Sequence, residues 1–259
     1  MARPKKLPSP TLTTLLLVRH GNTSTTGTLL PGRAPGLHLA DSGVKQAERA
    51  GERIGELKRV DALYVSPLER ARETAAPIAK ATGLKPVVER GLLECDFGDW
   101  TGQELKTLMK LPEWRTVQRA PSTFRFPKGE SFTEMQVRIV SALDRLRAKH
   151  PGGTVVCVSH ADPIKAAMAH ALGTHLDLFQ RIIISTCSIS SSAAGTGRSS
   201  AGGRSTSTLR RYWAIAATCC FSHLTATRVR PWRAWRKNVR APGLPSAPVV
   251  KVSTSSNSK

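Results

Sequence analysis

Two histidines, two arginines and a glutamate are the residues of this chain whose types and spacing could do chemistry. His20 stands in Arg19-His20-Gly21, directly after the apolar run 15–18, so an imidazole lies where a buried strand gives way to a loop. His160 repeats the arrangement in Ser159-His160, at the end of the apolar run 154–158. Ligands of open α/β sheets bind at the carboxyl ends of the strands, so two such histidines can face each other across one crevice. Arg70 lies in the stretch that turns from another apolar segment, 60–65, into a helix. Glu94 lies in 91–102, which is dense in acidic and aromatic residues between two glycines.

Together these side chains suit a phosphate monoester. The dianion needs cations to hold it, a nucleophile in line with the leaving oxygen and an acid to protonate that oxygen. Arg19 and Arg70 are permanently charged planar donors matched to phosphate geometry. A neutral imidazole on His20 can attack phosphorus and carry the group, dividing one hard step into two. His160 can stabilise charge on the equatorial oxygens. Glu94, flanked by Leu92, Leu93 and Phe97, can have its pKa raised by burial and serve as the acid. Structural alternatives stand beside these readings: Arg70 as a helix-surface arginine, and Glu94 as a capping carboxylate next to Asp96 and Asp99. His38, His150, His170, His175 and His223 have no partner at useful spacing and read as structural or exposed. The sequence has no Walker-type lysine loop and no carboxylate cluster for magnesium, so the expected route is metal-independent and no cofactor is expected.

The elements that position these groups follow from periodicity. Asp41 or Ser42 can cap a helix whose apolar positions Val44, Ala47, Ala50, Ile54 and Leu57 recur at helical spacing. Residues 85–88 are a third strand, and 103–147 read as mostly helical, broken by Pro112, Pro121 and Pro127. The strand 154–158 feeds a helix over 162–172, and 182–184 start a last strand. This alternation predicts an α/β sheet with helices on both faces.

Charge divides the chain. The net charge is +21, but residues 1–185 carry 27 basic against 18 acidic side chains, whereas 186–259 carry 12 basic and no acidic ones. In 186–208, 16 of 23 residues are Ser, Thr or Gly, too little apolar surface to offset an ordering cost of about 1–2 kcal/mol per residue. The expected organisation is a basic leader over 1–11, a folded domain over 12–190 and a disordered basic tail over 191–259. Tryptophans 213, 232 and 235, interleaved with arginines, suit contact of that tail with nucleic acid or an anionic surface. Its abrupt change of composition fits translation in a shifted reading frame better than it fits a functional arm. The five cysteines are odd in number, lack metal-ligand spacing and read as reduced thiols of a cytoplasmic protein. The apolar run behind Arg3, Lys5 and Lys6 is too short for a signal peptide, and the run 212–221 is half a membrane span, so no membrane span is expected.

Five motifs, in order, resemble the histidine phosphatase superfamily, also called phosphoglycerate-mutase-like. They are Leu17-Val18-Arg19-His20-Gly21-Asn22-Thr23, Ser66-Pro67-Leu68-Glu69-Arg70-Ala71, Leu92-Leu93-Glu94-Cys95-Asp96-Phe97-Gly98-Asp99-Trp100, Pro127-Lys128-Gly129-Glu130-Ser131 and Val158-Ser159-His160-Ala161-Asp162. The resemblance covers about residues 12–190 and is strongest to small actinobacterial-type members. It implies a three-layer α/β/α sandwich with a mostly parallel sheet. His20 would be the phosphorylated nucleophile and Glu94 the proton donor, with Arg19, Arg70 and His160 forming the phosphate pocket. Asn22 and Thr23 would lie beside it, the Thr23 hydroxyl touching the phosphoryl group. The implied activity is hydrolysis of a small phosphorylated metabolite. Phosphomutase chemistry is the alternative within the family, and non-catalytic nucleic-acid binding through the tail is the alternative outside it. Relatives often carry an asparagine six residues after the nucleophile; here that residue is Thr26, which weakens the mutase reading more than the phosphatase one.

Overall fold

Leu15, Leu16, Leu17 and Val18 are all buried, although successive side chains of a strand point to opposite faces. Such a strand must be covered on both sides, and it lies inside the sheet. The structure, a computed structural model, describes residues 12–196 and, for the backbone, 211–218. The leader and the remaining tail residues, with the nucleic-acid and reading-frame expectations attached to them, lie outside the described residues.

The strand that carries this run is β1 (Leu12–Arg19), followed by α1 (Asp41–Gly55), β2 (Ala62–Val65), α2 (Glu69–Thr82) and β3 (Val87–Val88). Next come two short helices, α3 (Leu105–Leu108) and α4 (Pro112–Arg119), then α5 (Phe132–Lys149), β4 (Thr154–Ser159) and α6 (Ala161–Leu172). Two strands, β5 (Ile189–Thr196) and β6 (Arg211–Thr218), complete one sheet in the order β3-β2-β4-β1-β5-β6. The pairs β3/β2, β2/β4 and β4/β1 are parallel, while β5 runs antiparallel to both β1 and β6.

Strand alternation sorts the core into two layers. Leu15, Leu17, Val155 and Cys157 pack with Phe132, Met135 and Ile139 of α5 and Ile164 of α6. Leu16, Val18, Val156 and Val158 pack on the other face with Ile54 of α1 and with Ala71, Ala75 and Ile78 of α2. The fold is therefore the expected three-layer α/β sandwich with a mostly parallel central sheet.

Three local expectations differ from the structure. Neither Asp41 nor Ser42 caps α1: the N-cap is Ala40, Asp41 lies in the first turn, and Ser42 Oγ accepts a hydrogen bond from Asn22 Nδ2 at 3.0 Å. Val44 and Leu57 fall outside the buried stripe of α1 and are exposed. Residues 182–184 form no strand; the chain crosses the sheet end there and enters β5 only at Ile189.

The domain boundary expected at residue 190 also falls short of the observed strand. Residues 191–196 of the expected tail lie in β5, whose register with β1 runs from Ile189 opposite Val18 to Gly195 opposite Leu12. The composition reading counted only apolar side-chain area. Backbone pairing along β1 and small buried side chains at Ser190, Ser192 and Ala194 build this strand instead. Arg147 Nη2 donates to Ser192 Oγ at 3.3 Å.

Candidate active site

The register of β1 against β4 sets Arg19 opposite Ser159, so the next residue of each strand, His20 and His160, emerges at the same sheet end. The His20 amide donates to the Ser159 carbonyl at 3.0 Å, and the two imidazole rings lie 5.2 Å apart between centroids. Gly21 follows because nothing larger fits: a Cβ there would lie 2.6 Å from the Gly43 carbonyl oxygen at the start of α1. The Gly21 amide donates to Thr74 Oγ1 at 3.0 Å, and that hydroxyl donates to the Arg70 carbonyl at 2.7 Å, which ties the loop after β1 to α2.

The tautomer of His20 follows from its partners. Nδ1 lies 2.7 Å from the Gly21 carbonyl oxygen, an acceptor only, so Nδ1 carries the proton and Nε2 presents its lone pair. Arg70 Nε donates to that lone pair at 3.3 Å, and Arg70 Nη2 donates to the Gly32 carbonyl at 2.8 Å. Burial, followed by the Arg70 charge, holds the His20 pKa down to about 3, against the upward pull of the Gly21 hydrogen bond. The imidazole is therefore neutral across the physiological range, the state a nucleophile needs.

Three cationic or polar groups surround it. The Arg70 side chain is fully buried; Arg19 donates from Nη1 to the Ile184 carbonyl at 2.8 Å; His160 Nε2 lies 2.7 Å from Ser66 Oγ at the end of β2. Arg70 Nη1, Arg19 Nε and His160 Nδ1 are buried with no hydrogen-bond partner among the described residues. Buried polar atoms are otherwise almost always satisfied, and a cluster of them beside a neutral imidazole is the chemistry of an anion receptor. Burial and the Arg70 charge also lower the His160 pKa well below its ordinary value.

Glu94 is buried in the segment after β3. Burial, then the negative charge of Asp162, pushes its pKa up to about 7, against the Cys95 amide and the charges of Arg70 and Arg19. A carboxyl that is about half protonated at neutrality and feels both pocket arginines is suited to deliver a proton. The Thr23 side chain is buried and engaged with Thr25 Oγ1 and Thr26 Oγ1 at 3.3 and 2.9 Å. Asn22 donates from Nδ2 to Ser42 Oγ at 3.0 Å, and its backbone amide donates to Gln46 Oε1 at 2.9 Å.

Sequence reasoning assigned no role to Ser66, Thr74, Asp162 or Arg33. Ser66 stood at a strand end like the two histidines, a position that could have marked it. Thr74, one turn beyond Arg70, gave no signal apart from its spacing. Of the other histidines, His38 pairs with Glu73 and His150 Nε2 lies 2.9 Å from the Tyr64 hydroxyl. Arg125 and Lys128 pair with Glu134 and Asp99. Among the described residues no three His, Cys, Asp or Glu side chains gather as a metal site, and no helix is long and apolar enough to cross a membrane.

Residues 15–201 match the histidine phosphatase superfamily (branch 1). Phosphoserine phosphatase 1 of Hydrogenobacter thermophilus is 34% identical over 170 residues, spanning 64% of this chain and 79% of that protein. A metal-independent phosphoserine phosphatase of Arabidopsis thaliana is 34% identical over 162 residues, spanning 60% and 67%. Some mycobacterial relatives, 33% identical, are longer, and the match spans 50% of their length. Among solved structures, a mycobacterial glucosyl-3-phosphoglycerate phosphatase superposes with a TM-score of 0.68 at 25% identity, covering 80% of this chain and 98% of its own.

Proposed function

This chain belongs to the histidine phosphatase superfamily and is a phosphoric monoester hydrolase, and we propose that it works without a metal, through a phosphohistidine on His20. The observation that carries this reading is the hydrogen bond from His20 Nδ1 to the Gly21 carbonyl, which leaves Nε2 as the lone-pair nitrogen against Arg70. Relatives named for phosphoserine and glucosyl-3-phosphoglycerate support a small phosphorylated metabolite as the substrate.

In the first half-reaction the phosphoryl dianion takes up the unpartnered donors Arg19 Nε and Arg70 Nη1, and His160 donates from Nδ1 while its Nε2 accepts from the Ser66 hydroxyl. Arg70 Nε turns from the Nε2 lone pair to a phosphoryl oxygen, and Nε2 attacks phosphorus as the bond to the leaving oxygen breaks. Glu94 gives its proton to that oxygen, and the alcohol departs. In the second, the Glu94 carboxylate takes a proton from water, the hydroxide attacks phosphorus, and the P–N bond breaks to release phosphate and neutral His20. Arginine fixes the equatorial oxygens in both steps. A mutase would return the phosphoryl group to a substrate hydroxyl. Thr26, whose Oγ1 accepts from the Thr23 amide at 2.9 Å, stands where the family resemblance leads one to expect asparagine, and this weakens the mutase reading more than the phosphatase one.

The test is phosphate release from a panel of phosphorylated metabolites in EDTA, for the wild type and His20→Ala. Release by the wild type alone supports the reading; release that EDTA abolishes, or that His20→Ala retains, overturns it.

A further inference from the structure

Glu94 has an unusual support for a residue that must hold a proton in place. Its carboxyl makes a single hydrogen bond among the described residues, Oε1 accepting from the adjacent Cys95 amide at 2.9 Å. The segment that carries it is irregular beyond the turn Arg90–Leu92. Its position must therefore be set through the backbone.

The backbone is gripped with corresponding thoroughness. Arg138 of α5 donates from Nη1 to the Gly91 and Leu93 carbonyls, both at 2.9 Å, and from Nη2 to the Glu94 carbonyl at 3.2 Å. Ser159 Oγ donates to the remaining carbonyl, that of Leu92, at 2.7 Å. Arg33, in the loop after β1, donates from Nε to the Glu94 carbonyl at 2.8 Å. Four consecutive carbonyls are thus each bound by a side chain from another part of the fold. The two guanidiniums are locked together by Glu130: Arg33 Nη2 reaches Oε2 at 2.9 Å, and Arg138 Nε and Nη2 reach Oε1 and Oε2 at 2.8 and 2.9 Å. The Glu130 carboxylate also accepts from the Asp96 amide at 3.3 Å. All three side chains are largely withdrawn from water, Glu130 at 13%, Arg138 at 21% and Arg33 at 29% exposure.

We infer that Arg33, Glu130 and Arg138 form a clamp that positions the Glu94 carboxyl for proton delivery to the leaving group. The inference rests on the reading of Glu94 as the proton donor. The three are positioning residues, since they hold the main chain around Glu94 and make no hydrogen bond to its carboxyl. Proton delivery tolerates little displacement, and a charge-assisted fork between two guanidiniums and one carboxylate resists it better than single neutral bonds do. The clamp also links the loop after β1, which supplies the Gly32 carbonyl to Arg70, to the acid across the pocket.

The experiment compares an aliphatic phosphate monoester, whose leaving oxygen needs a proton, with p-nitrophenyl phosphate, whose leaving group departs without one. In Arg138→Lys and Glu130→Gln, kcat/KM on the aliphatic ester falls about 10²-fold while that on p-nitrophenyl phosphate stays within about 5-fold, a bias in the range of general-acid effects. Arg33→Lys, at the most exposed position, shows the same bias more weakly and serves where the other variants fail to fold. Equal losses on both substrates in folded variants, or no loss on either, overturn the clamp. Glu94→Gln is the reference. Bias in Glu94→Gln with none in the clamp variants removes the clamp alone, whereas no bias in Glu94→Gln removes the proton-donor reading beneath it.

Discussion

Arg70 Nε and His20 Nε2 meet at 3.3 Å, so the guanidinium occupies the one lone pair of a neutral, buried imidazole. The same cation that lowers the basicity of His20 thus stands beside the place phosphorus takes in the proposed attack by that nitrogen, close enough to turn onto a phosphoryl oxygen.

Replacing this guanidinium should be costly even with charge retained. Lysine cannot bridge His20 and the Gly32 carbonyl from two nitrogens, and its single ammonium does not match a phosphate edge. Arg70→Lys is expected to lower kcat/KM by about 10²-fold or more, the scale of losing one preorganised charge contact in a transition state. Steady-state kinetics on a phosphate monoester, beside a thermal melt to confirm folding, check this.

The pH profile separates the two titrating groups. Glu94 must be protonated to act as the acid, and its pKa is raised to about 7, so kcat/KM falls with unit slope as pH rises through that value. His20 must be neutral, and its pKa is lowered to about 3, so it sets no limb in the neutral range. Any acid limb belongs to the substrate, whose second phosphate ionisation lies near about 6. In Glu94→Gln the alkaline limb disappears; its persistence at the same pH would assign it to another group.

Ser66 fixes the orientation of His160. Removing its hydroxyl leaves His160 Nε2 unpartnered in a buried site and frees the ring to turn. Ser66→Ala is expected to reduce kcat about 10-fold with a smaller change in stability, on the scale of one lost hydrogen bond to the His160 ring. Kinetics and denaturant melts on the same preparation distinguish this from a general loss of structure.

A backbone contact limits what can follow His20 in the chain. A Cβ at position 21 would lie 2.6 Å from the Gly43 carbonyl oxygen, and both partners are main chain. Gly21→Ala should therefore destabilise the fold by about 1–3 kcal/mol, as overpacking does. Urea unfolding measures this directly, and an unchanged midpoint would show that the two loops can separate.

Much of this architecture was legible in the sequence because its signals are local. The buried runs at 15–18 and 154–158 ending in histidine placed both imidazoles, and the register of β1 and β4 brought them together as the repeated pattern implied. The apolar neighbours of Glu94 indicated its burial. What escaped depends on contacts distant in sequence. Arg138, in the middle of α5, has no local feature that separates it from a solvated helix arginine, yet it binds carbonyls more than forty residues away. The strand β5 escaped because a run of serines supplies little apolar area; its place is set by pairing with β1, and pairing partners are not written in composition.

The central claim is the covalent phosphoryl group on His20. It is tested by quenching the enzyme with a phosphorus-labelled monoester during turnover, in EDTA, and locating the label by mass spectrometry. The account predicts a burst of protein-bound phosphoryl that is labile in acid, stable in alkali, mapped to His20 and absent in His20→Ala. Full turnover with no labelled protein on the millisecond scale, or label on another residue that persists in His20→Ala, would contradict it.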